Sequence, residues 1–85
     1  MPHSGPQSEL IRAVELALAG DRRAAYATIV HLYDDQTACW IRACLHKIEG
    51  DEANARYWYR RSRQFYESFS DARAELVAIK AALTY

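Results

Sequence analysis

From Ser8 onward the apolar residues Leu10, Ile11, Val14, Ala17 and Leu18 recur at three- and four-residue spacing, the period of one face of an α-helix. Ser8 carries a side-chain oxygen suited to cap that helix. Met1 to Gln7, with two Pro and no apolar periodicity, read as a flexible tail, leaving residues 8–85 as one domain. Gly20-Asp21 then predicts a stop and a restart. Glycine accepts the left-handed conformation that closes a helix, and aspartate accepts a hydrogen bond from the free N–H groups that open the next. A second helix is predicted over Arg22–Tyr33, with Ala25, Ile29 and Leu32 on one face. Asp34 and Asp35 interrupt it, and Asp35 or Thr37 caps a third helix whose inner stripe is Ile41, Cys44, Leu45 and Ile48. Gly50-Asp51 repeats the stop and restart before a fourth helix over Glu52–Glu67, rich in aromatic residues. Ser68, with Asp71 three residues on, predicts the start of a fifth helix carrying Leu76, Ile79 and Leu83. Every connection is short, so successive helices are expected to pack antiparallel.

Composition changes this picture only slightly. At 85 residues the chain is near the size where a single core is marginal, and 51% hydrophobic content makes that core attainable. Eleven basic and eleven acidic residues cancel, which argues against a dedicated nucleic-acid-binding role. Zero net charge also removes one barrier to self-association, and a homodimer is an expected partnership on that ground. No run approaches the ~20 apolar residues of a membrane span. The N-terminus lacks a signal-peptide layout, so a cytoplasmic location is expected. Cys39 and Cys44, five apart, fall on different faces of one helix and cannot bridge. They read as small buried hydrophobes.

The two Gly-Asp pairs lie thirty residues apart, and the same offset relates Ala13 to Ala43, Ala25 to Ala55 and Ile29 to Tyr59. Small residues at such positions let paired helices approach closely while the larger ones fill the adjoining groove. On these residues the chain resembles the tetratricopeptide repeat family over most of Ser8 to Ser62. It departs from that pattern at Trp40, one position late for the first-helix aromatic, and at Arg12 and Arg42, where leucine is usual. The closing proline of each repeat is also missing. The resemblance implies stacked helix hairpins. Two repeats are fewer than the three a solenoid usually needs. The expected fold is therefore all-α: five antiparallel helices, forming two stacked hairpins and a C-terminal capping helix. Either that helix or a second copy must close the core.

A more local pattern runs through Leu45-His46-Lys47-Ile48-Glu49-Gly50-Asp51 and Asn54-Ala55-Arg56-Tyr57-Trp58-Tyr59-Arg60-Arg61. It resembles a block of small uncharacterised bacterial proteins, and it implies no activity. Packing alone would accept aliphatic residues there. His46, Glu49, Asp51, Asn54, Arg60 and Arg61 therefore form a candidate polar pocket beside an aromatic platform of Trp40, Tyr57 and Trp58. The plainer alternative is a buried polar network that sets the angle between the third and fourth helices. Two His/carboxylate pairs, His31 with Asp34 and His46 with Glu49, have helical spacing compatible with metal ligands, although a helix C-terminal end also favours histidine. The arginines 56, 60 and 63 share a predicted helical face, balanced by Glu52 and Glu67. No GxSxG, HExxH or phosphate-cradling loop occurs. The expected function is a protein–protein interaction module without catalysis or cofactor. The alternative is a small-ligand or metal-binding protein using His46, Glu49 and Asn54.

Overall fold

The computed structural model describes residues 6–84, and these form five α-helices without a strand. The helices are α1 (Pro6–Leu18), α2 (Arg22–Ile29), α3 (Gln36–Ile48), α4 (Glu52–Ser62) and α5 (Ala72–Thr84), with a 3-10 turn at Tyr66–Ser68. None of them is long and apolar enough to cross a membrane. Residues 1–5 of the expected tail lie outside the described residues. Pro6 and Gln7 do not belong to a tail, because α1 already begins at Pro6. Proline lacks the N–H that a first helical turn leaves unused, and the Gln7 amide donates to the Leu83 carbonyl at the far end of α5.

Both Gly-Asp pairs behave as their chemistry predicts. Gly20 (φ 91°) and Gly50 (φ 80°) take the left-handed conformation. Each is followed by paired N–H bonds back into the helix: Gly20 to Ala17 and Asp21 to Leu16, then Gly50 to Lys47 and Asp51 to His46. Asp21, Asp35 and Asp51 accept from the amides of Ala24, Ala38 and Asn54 respectively.

Three predicted boundaries are corrected. Helix α2 stops at Ile29, not Tyr33. The β-branched run Thr28-Ile29-Val30 is a poor helix former, and Leu32 turns back to pack on the core. Helix α4 stops at Ser62, not Glu67, because Arg63 adopts φ 61° and Gln64 N–H returns to the Tyr59 carbonyl. A non-glycine residue in that conformation costs on the order of 1 kcal/mol, and two side chains help hold the end. Gln36 donates to the Ser62 carbonyl, and the Ser62 hydroxyl donates to that of Tyr59. Phe65 and Tyr66 therefore leave the helix, as does Arg63 from its predicted face. Ser68 sits in the 3-10 turn, and Asp71 serves at the start of α5, its side chain accepting from Arg73 N–H and its carbonyl from Glu75 N–H.

Packing follows the thirty-residue repeat. Ala13, Ala43, Ala25 and Ala55 are all 0% exposed, and Ile29 and Tyr59 are each 2% exposed. Helix α1 packs on α2, α3 on α4, and α5 lies against both α1 and α3. Leu76, Ile79 and Leu83 of α5 join Leu10, Val14, Ile41 and Leu45 in one buried cluster, which closes the core. Ile48 is not part of it; at the last turn of α3 it is exposed. Cys39 and Cys44 are both buried and unbridged.

Candidate functional site

Among the described residues the most highly connected polar group is Glu75, a carboxylate with 1% exposure on the inner face of α5. The Tyr59 hydroxyl lies 2.8 and 2.7 Å from its two oxygens. Trp40 Nε1 donates to Oε2 at 2.8 Å, and Lys47 Nζ to Oε1 at 3.0 Å. Lys47 spends its other two hydrogens on the carbonyls of Tyr66 (2.9 Å) and Phe69 (3.0 Å). Its ammonium also lies 4.8 Å from the ring centroids of Tyr59 and Tyr66. A buried ion pair of this kind is tolerable because every donor finds an acceptor. It binds α3, α4 and α5 to the segment that follows α4, so its role is architectural.

Two other protons are locked in by the same environment. Burial, and then the nearby Glu75 charge, push the Cys44 thiol up from 9.0 to about 12. Burial, followed by the hydrogen bond to Glu75, raises Tyr59 well above an ordinary phenol. Both groups hold their proton more tightly folded than unfolded. The stability they contribute is therefore fully present below the unfolded pKa values and is lost as pH rises through the folded ones. Each raised group should cost about 1.4 kcal/mol per pH unit within its window. Thermal melts are expected to fall steadily above pH 9, the thiol's ordinary value. In Cys44→Ala the decline should begin only near the phenol's usual pKa of about 10. An unchanged onset would contradict this assignment.

A second region lies where α2 meets α3. Tyr26 of α2 stands between two clefts there. One, of about 310 Å³, is lined by Tyr26, Ala27, Val30 and Arg42. The other, of about 290 Å³, is lined by Arg22, Arg23, Tyr26 and Glu49. The Tyr26 hydroxyl is fixed by His46 Nε2 at 2.7 Å, with the two rings edge to face. Arg42 of α3 lies between aromatic rings, 5.1 Å from the Tyr26 centroid and 4.2 Å from that of Trp58. Arg61 continues the series, 5.4 Å from Trp58 and 5.9 Å from Tyr57. Aromatic and guanidinium groups thus alternate across α2, α3 and α4.

The residues picked out from sequence divide between these regions and smaller local pairs. Trp40 is not in the aromatic platform; its indole N–H is committed to Glu75. Tyr57 and Trp58 do form one, edge to face at 5.1 Å. His46 and Glu49 come together, Nδ1 to Oε1 at 3.6 Å, and Glu49 also lies 4.0 Å from Arg22. Asn54 bonds instead to Asp51, at 2.7 Å, on the exposed start of α4, and among the described residues no side-chain hydrogen bond joins the two pairs. That hydrogen bond holds the Asp51 carboxyl below the usual range. The side chains of His46, Glu49 and Asn54, expected to line one pocket, thus fall into two hydrogen-bonded or ion-paired couples at neighbouring positions. His31 pairs with Glu9 at 3.1 Å rather than with Asp34. Arg60 is exposed and borders a separate recess of about 100 Å³ beside Phe65. Arg56 meets both Glu52 and Glu67, as their balance predicted.

Sequence reasoning missed Tyr26, Val30 and Glu75 as site or network residues, and passed over Lys47 although it lies in the quoted block. For Glu75 a signal existed: it falls four residues before Ile79, on the apolar stripe of α5. Compared with protein-family models, curated proteins and solved structures, the chain matches none.

Proposed function

We propose that this protein is an interaction module that docks a helical segment of another protein on the face formed by α2, α3 and α4. The observation that carries this reading is the Tyr26–Val30–Arg42 cleft together with the apolar surface around it. Among the described residues, six large apolar or aromatic side chains are exposed; Val30 and Tyr57 border this face, and Tyr33 reaches it through its backbone. Val30 (52% exposed) forms one wall of the cleft. Tyr57 (45% exposed) contacts Trp58, while Tyr33 (60% exposed) presents its carbonyl to Arg61 at 3.4 Å. Clustered aromatic and arginine side chains are what dense interaction sites are made of. The face shared by α1 and α3, by contrast, is already filled by α5.

The test is selection of helical peptides displayed at random against the whole protein. Selected peptides are expected to lose about tenfold or more in affinity on Val30→Asp, the size expected for an anchor position. Val77→Asp, on the exposed side of α5, should leave binding intact. Circular dichroism should show both variants folded. Loss with Val77→Asp and indifference to Val30→Asp would sink the assignment of this face.

A further inference from the structure

We infer that the cleft between α2 and α3 reads a carboxylate, with Arg42 as the recognising group, and that the docked segment is acidic with an apolar side chain beside the carboxylate. This rests on the interaction reading above and specifies the chemistry of the partner.

Arg42 stands apart from the arginines that have partners. Arg56 is paired with Glu52 and Glu67, and Arg22 approaches Glu49. Among the described residues no acidic side chain pairs with Arg42, and its buried Nε has no hydrogen-bond partner. Thirty residues earlier, in the same repeat register, Arg12 is exposed to water, whereas Arg42 is half-buried. Holding a cation there without a counter-charge is unfavourable, and an incoming carboxylate would relieve it. The guanidinium is also preorganised. Tyr26 and Trp58 flank it, and His46 in turn fixes the Tyr26 hydroxyl. A planar fork restrained by stacking suits bidentate carboxylate binding.

The surroundings favour the same ligand. Arg22 and Arg23 line the second cleft, and Arg61 lies over Trp58 as Arg42 does; Glu49 is the one acid lining the two clefts, with Arg22 4.0 Å away. On a chain of zero net charge the charged residues lining these clefts are Arg22, Arg23 and Arg42 against Glu49. Val30 and Ala27 supply an apolar wall for the neighbouring side chain. The rings are poorly placed as platforms for nucleobases, because guanidinium groups already lie over Tyr26, Trp58 and Tyr57.

The test resynthesises the display-selected peptides, of about twelve residues, with Asp and Glu replaced by Asn and Gln. Affinity is measured on wild type, Arg42→Gln and Arg42→Lys, with melting curves confirming that each is folded. The selected set is expected to be enriched in acidic residues. Their amide versions should bind about tenfold more weakly to wild type, as for loss of one charge-assisted pair. Arg42→Gln should abolish the difference, Arg42→Lys should retain part of it, and added salt should reduce it. Peptides that depend on Val30 yet ignore amide replacement would overturn this inference and leave the docking face standing. A selection that yields no binders overturns both. A single-stranded RNA of mixed sequence serves as competitor; tighter, Arg42-dependent RNA binding would also overturn the inference.

Discussion

Glu75→Gln is expected to lower the free energy of unfolding by about 3–5 kcal/mol, the usual penalty for removing one partner of a buried ion pair. In a domain whose whole stability is of the order of 5–15 kcal/mol, that leaves a substantial unfolded population. The physical reason lies in what remains. Lys47 keeps its charge inside the structure with its carboxylate gone, and the new amide group presents hydrogens toward the donors Tyr59 and Trp40. The Lys47→Met variant should be harmful too, because it frees the carbonyls of Tyr66 and Phe69 and leaves Glu75 charged. The two changes together should cost less than their sum, with a coupling of about 1–3 kcal/mol. Urea denaturation of the four proteins measures it. Simple additivity would mean that the pair is not an interacting unit.

Ala55→Leu is the second large effect. Ala55 is fully buried between α4 and α3, and its repeat mate Ala25 is buried equally. Extra carbons at a point of close helix approach force the helices apart or the new side chain out of its rotamer, at about 1–3 kcal/mol. Here the spreading would also stretch the hydrogen bonds from Tyr59, one turn on, to Glu75. The upper end of that range is therefore expected. Ala53→Leu, two residues away on the exposed side of α4, should change stability by less than about 0.5 kcal/mol. The same denaturation experiment compares them. Equal effects at the two sites would contradict the repeat-based packing.

The two glycine turns and the aspartate caps could be read from sequence because each depends on residues within one turn of a helix, and the repeat alanines because their thirty-residue offset recurs. The ends of α2 and α4 could not. Leu32 ends α2 by returning to a core built from other helices, and Arg63 ends α4 in a conformation that its residue type disfavours. The polar site was legible only in part for the same reason. His46 and Glu49 meet across a single helical turn, but the partner that orients His46 is Tyr26, in a different hairpin. Trp40 looked like a surface aromatic until α5 placed a carboxylate against it. Arg42 was visible as a charge among the apolar residues of α3, in register with Arg12 thirty residues earlier. That Tyr26 and Trp58 would flank it follows only from how α2, α3 and α4 come together.

Heteronuclear NMR titration of the labelled protein with a selected acidic peptide tests the docking account most directly. The account predicts that the Trp58 indole and Arg42 Nε–H resonances shift most, together with backbone amides from Tyr26 to Val30. Shifts centred instead on Val77 of α5, or on the Phe65 recess, would contradict it.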